Sequence, residues 1–235
     1  MMTLGEDSRE EHTGRSVRIA PESFSDIIFG LALSIGSLVL IQSQVHAWQD
    51  IFWNVLLFGF SFLIIAVTWL QYSNTISQMP IEAPLAVILN MVLLFLVALE
   101  PYLFYLLMSQ ATQDLLEYTS IGYALDVGVM YLILASLIWT VIRRRVADVG
   151  HAYTGSIRGL KRTFAAELSV GVLFLVSTAP FFWVSTPVGH LRFVLWYCSF
   201  IIFIPARISA NRRVEGKREK SLLDSVKSAS DRMDS

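Results

Sequence analysis

Residues Phe24 to Leu40 read FSDIIFGLALSIGSLVL. After its first three residues the run is apolar or small throughout. A helix needs about 20 mostly apolar residues to cross a bilayer. The residues before Phe24 are polar and charged, with no apolar stretch and no small-residue cleavage site, so the run is read as a mature membrane helix rather than a secretory signal. Leu31, Ile35, Leu38 and Gln42 follow i, i+4, i+7, i+11 spacing, and at about 100° per residue they share a strip about 60° wide. Gly30, Ser34 and Ser37 form a neighbouring stripe of small residues. Small residues let helices approach closely in lipid, so this helix is expected to sit inside a bundle. On spacing alone the branched stripe fits a lipid face, a core face or a pore lining. Asp26 is the acid in the run. A carboxylate at the bilayer centre costs about 2.5–3.5 kcal/mol, and less near a helix end; Ser25 or Asp26 could equally cap the first turn.

The rest of the chain is of the same kind. Of its 235 residues 54% are hydrophobic and only 16% charged, with mean hydropathy +0.57. A soluble domain of this length has no means of hiding that much apolar surface, whereas lipid removes the problem. Six segments have spanning length and composition: 23–42, 51–72, 83–109, 120–142, 164–186 and 189–208. The last two are parted by a turn around Pro187. With both termini cytoplasmic, the 1–22 tail (Arg9, Arg15, Arg18), the 143–163 loop (Arg143, Arg144, Arg145, Arg158, Lys161, Arg162) and the chain from Arg207 onward hold 17 of the 18 Lys and Arg residues, leaving Arg192 on the other side. That is a strong positive-inside bias. The expected fold class is therefore an all-α, multi-pass protein of the cell membrane: six transmembrane helices in one repeat unit, both termini cytoplasmic, and a charged tail over 209–235.

Several function classes drop out. Cys198 is the only cysteine, so no disulfide framework exists. His12, His46, His151 and His190 lie far apart, and none has a second ligand at metal spacing. No clustered His and Cys, paired acids at a membrane face or Ser-His-Asp set points to an enzyme. No cofactor or nucleic-acid partner is expected. The tryptophans mostly lie toward span ends, as an interfacial belt. The basic 143–163 loop could bind anionic headgroups, although topology already accounts for it.

Three stretches are similar to one family. The Phe24–Ser25–Asp26 start, continued by Phe29, Ala32 and Ser34, resembles the signature of the transmembrane protein 175 family of potassium channels. FLIIAVTWLQY, closing the second span, is similar to that family's aliphatic run ending on a tryptophan, here Trp69. NMVLLFLVALEPYLFYLL in the third is similar to its asparagine, apolar run and proline, here Asn90 and Pro101. The order is the family's, and residues 18–142 carry the likeness; the last two spans follow by hydropathy. Two positions depart. The family's arginine before the phenylalanine falls on Ala20, with Arg18 the nearest candidate, and its histidine after the tryptophan falls on Tyr72. The resemblance implies a leak-type potassium-permeable channel, with the first helix of each subunit lining the pore. Leu31, Ile35 and Leu38 would form the constriction and Ser34 would bear on ion preference, while Arg18, Phe24, Ser25, Asp26 and Trp69 would make the motif's network. It also implies potassium ions and lipid as partners, and a homo-oligomer, a tetramer for a single six-helix unit.

Other residues allow other readings. Thr119 to Tyr123 (TSIGY) faintly matches a potassium-filter sequence, but that filter needs a second glycine and a re-entrant helix; Ala124 and a polar loop stand there instead. Glu100 and Asp126 are acids at membrane depth, where ionisable residues are functional by default. They could couple a secondary transporter to protons, the alternative function. Equally, each could find a hydroxyl partner such as Tyr102 or Tyr131 and only fix packing. The two halves of the chain show no convincing repeat of the transporter kind.

Overall fold

The computed structural model describes residues 7–42, 48–79, 84–109, 112–149, 154–186 and 189–198. Two compact units divide the chain, the first ending at Trp183 and the second beginning at Val184. The first holds helices α1 (Asp7–Gln42), α2 (Trp48–Ile76), α3 (Pro84–Met108), α4 (Gln113–Val149) and α5 (Thr154–Ser177), then a 3-10 turn over Pro180–Trp183. In the second, Ser185–Thr186 pairs antiparallel with Gly189–His190, and helix resumes over 191–198.

Among the described residues four helices carry stretches long and apolar enough to cross a membrane: Phe24–Ile41, Asp50–Ile76, Pro84–Met108 and Asp114–Ala147. Six were expected, and the difference lies in the last third. The fifth segment, read as 164–186, is helical only to Ser177. Pro180 ends it, because proline lacks an amide donor and disfavours helix in the residue before it. Arg158, Lys161, Arg162 and Glu167 fall within the helical part, and a tight turn and hairpin follow it. Of the sixth segment, 191–198 is helical, and 199–208 lies outside the described residues, as does the 209–235 tail. At the other end α1 runs back to Asp7 through the polar stretch read as a tail. Pro84 opens α3, where its missing donor costs nothing. Pro101 sits buried inside α3, which continues through it.

α4 is the centre of the first unit. It packs most extensively on α5, then on α3, and also on α2, whereas α1 packs on α2 and α3. Tyr123, Ala124, Val127, Met130, Leu134 and Leu137 on α4 are fully buried. Backbones meet most closely where α4 crosses α5: a Cβ on Gly171 would lie 3.0 Å from the Gly128 carbonyl oxygen. α1 is by contrast two-faced. Ser25, Phe29, Ala32, Gly36 and Val39 are buried against the bundle, and Ile27, Leu31, Ser34, Leu38 and Ile41 on the other side are exposed.

Candidate functional site: the exposed face of α1 and its braces

Backbone hydrogen bonding makes α1 a rod, and contacts with α2 fix its rotation. Ser25 Oγ and the Tyr72 hydroxyl are hydrogen-bonded at 2.6 Å, and both residues are buried. One turn on, the Phe29 ring lies 5.5 Å from the Tyr72 ring, tilted by 37°. The Trp69 indole N–H donates to Asp26 Oδ1 at 2.9 Å. Trp69 and Tyr72 are three apart, so one face of α2 presents both. Ser25 and Asp26 are consecutive and project about 100° apart, so α1 is held at two azimuths at once and resists rotation. Phe24, between them and the polar N-terminal stretch, is exposed. Arg18 sits on the α1 backbone, and its side chain lies outside the described residues.

This brace yields a prediction. Tyr72→Phe removes the bond to Ser25 and keeps the ring against Phe29, and a neutral hydrogen bond is worth about 1 kcal/mol net. Trp69→Phe removes a donor from a carboxylate, worth about 1.5–3 kcal/mol before the partly exposed position discounts it. Both variants should lower the thermal unfolding midpoint in detergent, by a few degrees for Tyr72→Phe.

With α1 pinned, its outward face is defined. Leu31 is 57% exposed, Ile35 42% and Leu38 51%, and no other described helix covers them. The stripe of Gly30, Ser34 and Ser37, read as a surface for close helix approach, is not used for it within the chain: all three residues are exposed, and a Cβ on Gly30 would meet nothing within 4 Å. The helix approach within the chain uses Gly36, whose Cβ would lie 3.7 Å from Phe58. Ser34 Oγ donates to the Gly30 carbonyl at 2.8 Å and Ser37 Oγ to the Ser34 carbonyl at 2.7 Å. With its proton committed to the backbone, the Ser34 oxygen is left as an acceptor.

The membrane-depth acids form a second cluster. Glu100 on α3 is fully buried, and its Oε1 accepts from Ser61 Oγ on α2 at 2.7 Å and from the Tyr123 hydroxyl on α4 at 2.9 Å. Tyr102 is not its partner; that side chain is 56% exposed. Asp126 stands one turn from Tyr123 on α4, buried, with neither carboxyl oxygen hydrogen-bonded. The filter-like Thr119–Tyr123 run lies within continuous α4, where Thr119 and Ser120 donate back to their own helix. Among the described residues no group of His, Cys, Asp and Glu is arranged to hold a metal.

Sequence reading missed Tyr72, Ser61 and Tyr123 as partners and the Gly128–Gly171 crossing. A signal for the acid cluster was present: Ser61, Glu100 and Tyr123 interrupt apolar runs at similar depth on successive antiparallel helices. Tyr72 was marked only as the departure from the family's histidine, and its hydroxyl takes up the contact to Ser25.

The family model described as Endosomal/lysosomal potassium channel TMEM175 matches residues 21–101, the stretch holding the α1 motif and both of its α2 braces. No curated protein sequence matches the chain. The fold is similar to the crystal structure of a lysosomal potassium-selective channel TMEM175 homolog from Chamaesiphon minutus, with TM-score 0.58 and 19% identity over 84% of this chain and 98% of that one. It is also similar to a variant of the potassium channel MtTMEM175 solved with a nanobody–MBP fusion protein, with TM-score 0.53 and 17% identity over 83% of this chain and 92% of that one. At these identities the likeness establishes the fold.

Proposed function

We propose, from the match of residues 21–101 to the TMEM175 family model, that this chain is a leak-type, potassium-permeable channel of the cell membrane. α1 from each of four subunits lines its pore, and both termini are cytoplasmic. The observation that carries the reading is the division of α1 into two faces. One is pinned by Tyr72 and Trp69; the other, bearing Leu31, Ile35, Leu38 and Ser34, is left uncovered. Around a four-fold axis, rings of branched side chains would close the path by excluding water, with no moving plug. Ser34 would present its oxygen to a partly dehydrated ion one step from the Ile35 ring. The outward small residues Gly30 and Ser37 would let neighbouring subunits approach, and Asp26 near the inner mouth would raise the local cation concentration.

The test is potassium-against-sodium flux in proteoliposomes, with the mass of the oligomer measured in parallel. Passive flux that follows voltage, from a tetramer, is the expected result; no flux from a well-folded oligomer overturns it. Ser34→Ala should keep potassium flux while lowering preference over sodium, read as a shift in reversal potential. A second reading, a proton-coupled secondary transporter, draws on the buried Glu100 and Asp126. Saturable, gradient-driven uptake would favour it.

A further inference from the structure

The acid cluster lies inside a single chain, and its chemistry does not depend on a pore. Glu100 Oε2 and both oxygens of Asp126 are buried and accept no hydrogen bond. Only 4% of Asp126 and none of Glu100 is exposed. Asp126 stands one turn along α4 from Tyr123, whose hydroxyl donates to Glu100 at 2.9 Å. The two hydroxyls at hand, Ser61 from α2 and Tyr123 from α4, are both spent on Glu100 Oε1. α5, which packs on α4, brings a further buried acid, Glu167. From α1, which packs on α3, the acid is Asp26, exposed and held by Trp69. Among the described residues of α1 to α5 no buried base faces these acids; Arg192, which is buried, lies outside those helices.

Among the described residues the three open oxygens thus have no hydrogen-bond donor. Neighbouring carboxylates in an apolar interior oppose one another's charge, and an uncompensated buried charge is among the most costly features a fold can hold. A hard metal cation would want about six oxygens, and three are open here. A proton supplies what is missing: it removes one charge and creates an O–H in place of an open acceptor. We propose that Glu100 and Asp126 form a proton-binding site between α3 and α4 in the interior of each subunit. One proton taken up from water converts one carboxylate to the acid; nothing else is consumed. Emptying the site sets like charges against each other across the α3–α4 contact, and α3 also supports α1, so occupancy is linked to the packing behind the outward face.

Infrared difference spectroscopy on the full chain in liposomes at neutral pH tests this. Wild type minus the Glu100→Gln/Asp126→Asn double variant should show the carbonyl stretch of a protonated carboxylic acid, and the variant should fold, because amides reproduce the neutral, donor-bearing form. A difference spectrum holding only carboxylate bands overturns the proposal. So does an acid band that vanishes on raising sodium or potassium at fixed pH, which would make a metal cation the occupant. A double variant that fails to fold while single Glu100→Ala and Asp126→Ala variants do fold also counts against it, since the neutral mimic should be the better tolerated. Failure of potassium flux alone, with the acid band present, would strike the channel reading and leave this site standing.

Discussion

Leu31→Asn should raise potassium flux through reconstituted protein on the order of tenfold or more while leaving thermal stability unchanged. In the proposed pore, closure rests on water avoiding a ring of branched side chains. Burying a leucine away from water is worth about 1.5–3 kcal/mol, and an amide in its place solvates the constriction; each ~1.4 kcal/mol removed from the barrier is a factor of ten in rate. Stability should hold because Leu31 is 57% exposed and belongs to the face its own chain leaves open. Leu38→Asn, two turns along the same face, should act alike. Phe29→Ala is the contrast. That ring is 1% exposed and stacked on Tyr72, so its loss should cost about 3–5 kcal/mol of folding. If the outward face instead met acyl chains, Leu31→Asn would leave flux at its basal level and lower membrane insertion, since an amide in lipid lacks partners. Flux and melting measured on the same three variants separate the two geometries.

The outward face was legible in the sequence because i, i+4, i+7 spacing fixes azimuth on any helix. That the small-residue stripe turns outward beside it was not. That depends on α2, where the partners of Ser25 and Asp26 lie 47 and 43 residues away. Phe24–Ser25–Asp26 therefore located the site, while Tyr72 and Trp69 decided its rotation. Hydropathy found the apolar stretches of α1 to α4 because lipid demands them. It gave no sign that α1 begins at Asp7 or that α4 runs through Arg145 to Val149, since backbone bonding carries a helix past the apolar layer whatever its side chains. Arg145 there donates to Gln78 beyond the end of α2 at 2.8 Å, and Arg143 lies over the Trp139 ring, contacts that belong to the polar edge. In the last third, Pro180 reads from sequence as a kink within a span, whereas the helix ends before it. The apolar Pro180–Trp183 stretch reads as continuing helix by composition and is a 3-10 turn by geometry. Pairings across helices, Glu100 with Ser61 and Tyr123 above all, depend on relative register, which no single helix encodes.

Register also underlies the second large effect, Gly171→Leu, which should cost more than about 3 kcal/mol and broaden or split the size-exclusion profile. The α4–α5 crossing is the closest backbone approach described. Besides the Gly128 carbonyl, a Cβ at 171 would meet Leu132 Cδ2 at 3.0 Å, and a Cβ at 128 would meet Leu175 Cγ and Cδ2 at 2.9 Å. Two glycines thus face each other, each walled by a leucine of the opposite helix. In lipid, helix association rests on such close packing rather than on the hydrophobic effect, so the contact has no easy substitute. A leucine cannot be absorbed by rotamer changes alone when the nearest atom is backbone. Over-packing of this kind costs about 1–3 kcal/mol where neighbours can yield, and more where they cannot. Gly171→Ala should fall between, since a few tenths of an ångström suffice. Gly159, on the same helix, has nothing within 4 Å of its would-be Cβ, and Gly159→Ala should be neutral or stabilising by about 0.5–1 kcal/mol through lost chain entropy. The displacement would reach further than α5. Asp126 precedes Gly128 by two residues on α4, so forcing the crossing apart should also shift the Glu100–Tyr123 bond and alter the carboxyl infrared bands. A Gly171→Leu protein that melts like wild type with those bands unchanged would mean that α4 and α5 do not meet at these glycines.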